Sequence, residues 1–321
     1  MSSKDTILRL LEENRGRYLS GNELSEQLGI SRTAVWKAVR QLEEEGYTVL
    51  AVNKKGYQLA EDCDILSSQS IRPFLRRPEL YPDIQVHKLL ESTNKTAKEL
   101  ANHGASGGTV VLAEQQSGGR GRLGRSFYSP SGAGIYMTVL LRPTEPAETT
   151  MLITSAAAVA VCRALKAVCG LEAQIKWVND VYLDGRKLCG ILTEAAVNFE
   201  DHRMDYLIIG IGINVTNGDF PPELREAAIS LEEKLGRRLP RSPLIGELLN
   251  QLSEIDLSQK QFLEEYRARS FVLGSYVNVI SPTGTERALA VNINDQGHLL
   301  IRLDDGTEKA LSSGEISIRK V

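Results

Sequence analysis

The side chains best suited to chemistry in this sequence are cations in and behind a glycine-rich loop. Residues 118–125 read Gly-Gly-Arg-Gly-Arg-Leu-Gly-Arg, which places Arg120, Arg122 and Arg125 within six residues. Glycine lets a backbone fold closely over a ligand, and the arginine guanidinium offers forked donors to phosphate or carboxylate. The loop therefore predicts an anion-binding site rather than a solvated basic turn.

The glycine spacing alone does not identify a nucleotide-binding fold. Gly119, Gly121 and Gly124 match a G-x-G-x-x-G pattern, but no helical pattern follows them, as the dinucleotide-binding fold requires. The Gly-Lys-Ser/Thr sequence of a phosphate-binding P-loop does not occur in the chain. What remains is a loop that binds an anion by its backbone and its arginines.

Two further segments place polar groups or bare backbone in apolar strands. Residues 176–180 read Lys-Trp-Val-Asn-Asp and lead through an Asp184-Gly185 turn to Lys187. A lysine in such a strand either reaches solvent or needs a negative partner, and both readings stay open for Lys187. Residues 208–215 alternate glycine with isoleucine, which leaves one face bare for a flat ligand or for close helix packing.

The elements that must position these residues form a mixed α/β pattern. Apolar runs predict strands at 84–90, 109–113, 134–141, 173–177, 188–193 and 206–213. Helical patterns cover 93–103, 149–169, 225–235 and 243–270. From Tyr276 onward, short strands separated by glycine turns indicate a small β-barrel.

The first sixty residues have the pattern of a winged helix-turn-helix. Three short amphipathic helices follow one another, with Ser20 and Glu23 as a capping box on the second and Ser31 as the N-cap of the third. A hairpin with a basic tip follows, as a wing does after a recognition helix. The residues predicted to face DNA are Arg32, Thr33, Trp36, Lys37 and Arg40 on the third helix and Lys54 and Lys55 on the hairpin tip.

The charge balance limits how this module can bind DNA. A net charge of −3 excludes a wholly basic nucleic-acid coat but not a basic face on one domain. Nine basic and eight acidic residues occur through Ala60, so a single copy has little electrostatic affinity for phosphate. We therefore expect two copies, and hence a dimer, at a DNA site.

The composition also indicates the cellular compartment of the protein. The sequence has no run of about 18 apolar residues and no visible secretory signal, so we expect neither a membrane span nor export. Cys63, Cys162, Cys169 and Cys189 are widely spaced and form no CxxC pair. This usage predicts the reduced cytoplasm rather than a disulfide framework.

Five motifs occur in the order found in one family. The segments Glu91-Ser92-Thr93-Asn94, GRGRLGR at 119–125, KWVND at 176–180, GRKLCGIL at 185–192 and GIGIN at 210–214 resemble the motif set of biotin–protein ligases. With its winged helix, the chain resembles the bifunctional bacterial form, the biotin operon repressor. It departs from the family at Val178, where proline is common, and at Cys189, where alanine is frequent. We expect neither change to abolish activity.

The resemblance implies a two-step reaction and a regulatory role. Biotin and Mg²⁺-ATP form biotinyl-5′-AMP and pyrophosphate, and the biotinyl group then passes to a lysine of a biotin carboxyl carrier protein. The same biotinyl-5′-AMP is implied to act as corepressor, favouring a homodimer that binds operator DNA. A ligand-sensing repressor without ligase activity and a lipoate or other acyl ligase are the alternatives.

The resemblance also implies which residues carry the reaction. Arg120, Arg122 and Lys187 are the expected catalytic residues, because they offset the repulsion between a carboxylate and the α-phosphate. Asp180 is expected to bind metal or to orient a lysine. Mg²⁺ is expected with ATP and no tightly bound metal, since the four histidines show no ligand spacing. The residues expected to contact biotin or biotinyl-5′-AMP are Ser92, Thr93, Asn94, Gln116, Arg120, Gly121, Arg122, Lys187, Gly190 and Asn214.

The predicted fold class is α+β with three parts. A winged helix-turn-helix at 1–62 and a linker at 63–83 precede a central mixed α/β ligase domain at 84–272. A small SH3-like β-barrel at 273–321 completes the chain, and the resemblance implies that it assists ATP and carrier binding.

Overall fold

A computed structural model describes residues 2–143, 152–197, 204–216, 220–281, 284–312 and 315–317. The predicted α+β class is confirmed, with an N-terminal helix-turn-helix, a central mixed domain and a C-terminal β domain. The N-terminal domain has its own apolar core, while the other two share one large core. Within the described ranges, every helix is too short or too polar to span a membrane.

The N-terminal domain is a helix-turn-helix followed by a hairpin. Its elements are α1 (Ser3–Glu13), α2 (Gly21–Leu28), α3 (Arg32–Glu44), β1 (Val49–Val52) and β2 (Gly56–Leu59). Each helix begins after a serine whose hydroxyl accepts a hydrogen bond from a backbone N–H of the first turn. The predicted buried stripe of the third helix is confirmed, because Val35, Val39 and Leu42 lie in the domain core.

The cap of α2 differs from the predicted capping box. Ser20 Oγ accepts from the Glu23 backbone N–H at 3.1 Å, as expected. The Glu23 carboxylate, however, accepts from Arg17 Nη2 at 2.8 Å. A charged guanidinium is a stronger donor than a backbone amide, so the carboxylate turns away from the cap.

Residues 63–83, predicted as a linker, form a structured connection. They contain α4 (Ser68–Ile71) and two 3-10 turns. The apolar side chains from Leu66 onward join the central core, whereas Cys63 and Ile65 pack with the N-terminal core. Asp64 forms an ion pair with the buried Arg241, with 2.6 Å between Oδ2 and Nε, and Arg241 also pairs with Glu114 at 2.8 Å. Burial raises the pKa of Asp64 although Arg241 opposes the shift. One buried cation thus ties this connection to the central sheet.

The central domain is a seven-stranded sheet with helices on both faces. Its strands are β3 (Ile84–Leu90), β4 (Val110–Gln116), β5 (Gly134–Leu141), β6 (Gln174–Lys176), β7 (Asp180–Leu183), β8 (Arg186–Val197) and β9 (Met204–Asn214). The order is β3-β4-β5-β9-β8-β7-β6, and only the β3–β4 pair is parallel. Alternate strand residues pack under α5 (Thr93–Asn102) on one face and against α6 (Ile153–Cys169) on the other.

The helix predicted over 225–235 is wrong in its first half, because only α7 (Leu231–Leu235) is helical. The Lys187 N–H donates to the Ala227 carbonyl at 2.8 Å, and the Ile229 N–H donates to the Lys187 carbonyl at 3.0 Å. Residues 222–227 form hydrogen-bonded turns, and the two bonds to Lys187 hold residues 227–229 against β8. Two longer helices follow, α8 (Arg241–Glu254) and α9 (Phe262–Arg269).

The C-terminal domain has the five short strands that the turn spacing predicts. They are β10 (Tyr276–Ser281), β11 (Gly284–Ile293), β12 (Leu299–Leu303), β13 (Glu308–Leu311) and β14 (Glu315–Ser317), in the order β13-β12-β11-β10-β14. The Trp177 indole N–H donates to the Gly297 carbonyl at 3.0 Å. The KWVND segment at 176–180 is therefore bonded directly to the β domain.

The four cysteines are free thiols, and three of them are buried. Burial raises the pKa of Cys162 to about 12 and that of Cys169 to about 11. Because only the thiolate attacks disulfide reagents, we expect negligible labelling of the native protein at pH 7.5 and four reactive thiols after denaturation. Rapid labelling of Cys162 in the native state, measured by mass spectrometry, would contradict this packing.

Candidate functional site

The predicted ligase residues line one cleft of the central domain with a cavity volume of about 300 Å³. They come from six places in the chain that the sheet and α5 bring together. A volume of this size accommodates a small-molecule substrate. The predicted residues at its wall are Ser92, Thr93, Asn94, Gln116, Arg120, Gly121, Arg122, Asp180, Lys187, Gly190 and Asn214.

Lys187 is held in the cleft by both its side chain and its backbone. Its Nζ lies 2.8 Å from Asp180 Oδ1 across the β7–β8 hairpin. Asn214 Nδ2 donates to the Lys187 carbonyl at 3.4 Å and to the Ile229 carbonyl at 3.2 Å. Of the two open readings for Lys187, the structure therefore supports the one with an anionic partner.

The two leading arginines of the glycine loop face different ways. Arg122 Nη1 donates to Asn179 Oδ1 at 3.2 Å, and Asn179 Nδ2 donates to the Ile191 carbonyl at 2.8 Å. Arg120 is 69% exposed and its nearest ion-pair partner is Glu91, at 3.5 Å. Arg122 is thus anchored at the cleft, whereas Arg120 remains at the rim, screened by solvent.

A polar cluster closes the opposite end of the cleft at the start of α5. The Thr93 backbone N–H donates to Gln116 Oε1 at 2.9 Å. Gln116 Nε2 donates to Ser129 Oγ at 3.0 Å, which fixes the amide orientation. Ser92, Thr93 and Asn94 are buried, and the side chains of Thr93 and Asn94 also form hydrogen bonds to protein groups behind the cleft.

The bare strand face at Gly210 and Gly212 is occupied by protein side chains. A Cβ on Gly210 would lie 2.1 Å from Asn94 Oδ1, and one on Gly212 would lie 2.6 Å from the Phe127 ring. Of the two readings for this strand, close packing against the start of α5 is therefore the correct one at Gly210. At Gly212 the aromatic ring itself lines the cleft.

Several cleft residues escaped the sequence reasoning. Phe127 packs edge-on against Tyr136 with ring centroids 6.4 Å apart, and Tyr128 lies 6.4 Å from Phe220. The signal available for Phe127 was an aromatic pair immediately after the glycine loop. The sequence also suggests a loop at 216–222, Thr-Asn-Gly-Asp-Phe-Pro-Pro, that could order over adenine, and its residues 217–219 lie outside the described residues.

Val178, the departure from the family's usual proline, is held by a contact that does not depend on its side chain. The Trp177–Val178 peptide bond is cis. The Val178 carbonyl accepts from the Tyr266 hydroxyl at 2.9 Å. This bond ties the turn before Asp180 to helix α9.

The residues predicted to face DNA are accessible to solvent on the N-terminal domain. The five on α3 and the two on the hairpin tip are all exposed. Arg40 lies 5.6 Å from the Trp36 ring, and Lys55 lies 5.8 Å from the Tyr18 ring. Arg32 Nε donates to Asn22 Oδ1 of the preceding helix. The arrangement presents cations and one aromatic side chain to solvent, as a recognition helix does.

The fold and the cleft together define a class of protein: an acid-activating ligase joined to a DNA-binding module. A cleft with paired lysine, arginine and neutral polar groups suits an anionic substrate that also carries hydrogen-bonding groups. Among the described residues, no group of three His, Cys, Asp or Glu side chains is placed to hold a metal ion.

Comparison with known sequences narrows this class. The Biotin/lipoate A/B protein ligase family matches residues 86–214, an HTH domain matches 4–58, and the Biotin protein ligase C terminal domain matches 272–319. The bifunctional ligase/repressor BirA of Bacillus subtilis is 37% identical over 96% of each chain. BirA of Escherichia coli is 30% identical over 95% of this chain and 94% of its own.

Solved structures agree with the sequence comparison. A biotin protein ligase from Aquifex aeolicus in complex with biotin and ATP superposes with a TM-score of 0.62 at 30% identity. It covers 74% of this chain and 99% of its own. The chain belongs to the family of bifunctional biotin ligase/repressors. The predicted ligase and repressor classes are therefore confirmed.

Proposed function

We propose that this chain activates biotin with ATP in the cleft, transfers it to a carrier lysine, and represses transcription when the intermediate accumulates. The observation that carries the proposal is the convergence of all the predicted ligase residues on one cleft. This cleft lies in a chain that also exposes a basic recognition helix. The BirA proteins of Bacillus subtilis and Escherichia coli match this chain over nearly their whole length, and both are bifunctional ligase/repressors.

The first step joins two anions, and the cations of the cleft address that problem. A biotin carboxylate oxygen forms a bond to the α-phosphorus, the bond to the β-phosphate oxygen breaks, and pyrophosphate leaves. Lys187 and Arg122 offset the repulsion of the reactants and the charge that develops on the phosphoryl oxygens. Arg120, at the rim, is placed to move onto the adenylate when the glycine loop closes. Gly190 leaves room for the lysine, because a Cβ there would lie 3.3 Å from Lys187 Nζ.

Asp180 has two roles open to it from the sequence, and its contact favours one. Its carboxylate pairs with Lys187 at 2.8 Å, so we assign it the role of orienting that lysine. In this proposal Mg²⁺ enters as part of the ATP substrate, as the resemblance implies.

The second step releases AMP. The amine of a carrier lysine attacks the biotinyl carbonyl carbon, the bond to the phosphate oxygen breaks, and AMP leaves. A closed glycine loop over the mixed anhydride excludes water until the carrier arrives. Gly121 supports this closure because it brings no side chain to the cleft wall. Its backbone N–H donates to the Arg125 carbonyl at 2.7 Å.

The regulatory half of the proposal assigns roles to domains. Residues 1–62 bind operator DNA, 63–83 connect, 84–272 catalyse, and 273–321 assist ATP and carrier binding. Biotinyl-5′-AMP favours a homodimer because it binds the dimerising conformation more tightly. We assign the protein to the cytoplasm, and its four free thiols support this part of the proposal.

Operator binding tests the regulatory half. We expect the protein to bind its operator more tightly with biotin plus ATP than with biotin alone, measured by fluorescence anisotropy at fixed salt. The added adenylate, rather than occupancy by biotin, drives the dimer. Equal affinities under the two conditions would contradict a corepressor role for biotinyl-5′-AMP.

Lys37→Ala tests the assignment of the DNA surface. Because Lys37 is exposed on α3 and faces phosphate in our account, its loss should weaken operator binding and reduce the salt dependence by about one ion. The matched control is Lys309→Ala in the C-terminal domain, which removes the same charge far from α3. An unchanged salt slope in Lys37→Ala would remove this residue from the interface.

A further inference from the structure

A chain of hydrogen bonds runs from the cleft into the core behind it. Thr138 lies on β5 and is completely buried. Its Oγ1 is 2.8 Å from Thr93 Oγ1 and 2.7 Å from Asn94 Oδ1. Asn94 Nδ2 in turn donates to the Glu194 carboxylate at 2.8 Å and to the Leu192 carbonyl at 3.3 Å. The chain therefore connects a cleft hydroxyl to a carboxylate on β8.

The orientation of the Asn94 amide is determined by these contacts. Leu192 O and the Glu194 carboxylate can only accept hydrogen bonds, so both must face the amide nitrogen of Asn94. The amide oxygen then faces Thr138. The absence of a side chain on Gly210 allows this placement, since a Cβ there would lie 2.1 Å from Asn94 Oδ1.

Counting protons gives the direction of the remaining bonds. Asn94 Oδ1 can only accept, so the single hydroxyl proton of Thr138 points to it. Thr138 Oγ1 can then only accept from Thr93, so the Thr93 hydroxyl donates its proton to Thr138 Oγ1 across the 2.8 Å contact. The alternative acceptor, Gln116 Oε1, is 3.2 Å away and already receives the Thr93 backbone N–H. The Thr93 hydroxyl therefore presents lone pairs to the cleft.

We propose that Thr138 and Glu194 are positioning residues that make Thr93 a hydrogen-bond acceptor, so that the cleft selects a substrate carrying an N–H at this point. The inference rests on the proposed function, since the ureido ring of biotin offers two N–H donors. Asn94 is a member of this chain of hydrogen bonds, because both hydrogens of its side-chain amide are donated to protein groups. Its predicted role as a direct biotin contact is replaced here by a positioning role.

The selectivity follows from the cost of an unmatched polar contact. A ring oxygen in place of the ureido N–H would set lone pair against lone pair in a buried site, which binding sites of this kind reject strongly. Thr138→Val removes the acceptor behind Thr93. The Thr93 hydroxyl then loses its 2.8 Å acceptor, and only the longer 3.2 Å contact to Gln116 Oε1 keeps its proton from turning toward the cleft, so the discrimination is reduced.

The test compares biotin with its two cyclic carbamates, in which one or the other ureido N–H is replaced by oxygen. Wild-type protein should prefer biotin over at least one carbamate by about 100-fold in kcat/KM. Thr138→Val should raise KM for biotin about tenfold, leave kcat within about twofold and reduce the preference about tenfold. Thr138→Ser, which keeps the hydroxyl, should restore KM and preference to within about threefold of wild type.

Matched variants separate this role from packing. Thr109→Val removes another buried hydroxyl, which bonds only to the Ser106 carbonyl, and should leave KM and preference unchanged. Glu194→Met should reduce the preference in the same direction by about threefold, because Leu192 still orients Asn94. Lys98→Met, which removes the other partner of Glu194, should leave the preference unchanged.

The outcomes distinguish this inference from the proposed function. An active wild type whose preference is unchanged in Thr138→Val, or a Thr138→Ser as impaired as Thr138→Val, overturns the inference alone. If Thr138→Val does not fold, Glu194→Met decides, and an unchanged preference there overturns the inference. A wild type that does not activate biotin overturns the proposed function and this inference with it.

Discussion

Lys187→Ala should lower the rate of biotin adenylation by about 10²–10³-fold while leaving the fold intact. In our account the ammonium group offsets charge that grows in the transition state, so kcat falls with kcat/KM. Its ion pair with Asp180 is part of the cleft rather than of the apolar core. Single-turnover formation of biotinyl-5′-AMP measures the effect, and thermal unfolding checks the fold.

A matched control is a second lysine that forms an ion pair with the hairpin carrying Lys187. Lys234 pairs with Asp184 at 2.7 Å at the turn of the same hairpin, outside the cleft. Lys234→Ala breaks an equivalent exposed pair, which contributes less than about 1 kcal/mol to stability, and should leave adenylation unchanged. A Lys187→Ala protein with the wild-type rate would remove Lys187 from the mechanism.

Arg122→Ala should release biotinyl-5′-AMP about 30-fold faster than wild type. Arg122 is anchored by Asn179 at the cleft and is the loop cation best placed to hold the adenylate under a closed loop. Losing a charged hydrogen bond to a bound anion affects dissociation more than association. A chase experiment with unlabelled intermediate measures the release rate directly.

Arg186→Ala is the control for this second prediction. Arg186 begins β8 and pairs with Glu233, outside the cleft lining. It should therefore leave the release rate unchanged. Retention of biotinyl-5′-AMP by Arg122→Ala at the wild-type level would count against loop closure by this residue.

The fold class could be predicted from the sequence because it depends on local patterns, whereas the grouping of the site residues was implied by the resemblance to biotin–protein ligases. Strand periodicity placed β3 and β5 at their observed bounds, 84–90 and 134–141. The observed pairing of β7, β8 and β9 brings Asp180, Lys187 and Asn214 to one cleft, and this strand order was not predicted from the sequence.

The parts that could not be predicted depend on contacts between distant segments. Residues 227–229 read as helix, but backbone bonds to Lys187 hold them against β8. The alternating glycines at Gly210 and Gly212 left open a flat ligand or close helix packing, and only the structure shows that Asn94 and Phe127 occupy that face.

A buried charge cluster shows the same limit. Arg241 is 2% exposed and pairs with Asp64 and Glu114, which are 177 and 127 residues away. No residue spacing in the sequence predicts such a cluster. Removing one member of a buried ionic group is strongly destabilising, so the cluster also sets how firmly the connection at 63–83 is held.

Biotin-dependent exchange of labelled pyrophosphate into ATP is the most direct test of the central claim, since it reports formation of biotinyl-5′-AMP without carrier or DNA. The account predicts exchange that requires biotin, is not supported by lipoate and is lost in Lys187→Ala. Absence of exchange in the wild-type protein with biotin, ATP and Mg²⁺ would contradict it, as would exchange driven by lipoate instead of biotin.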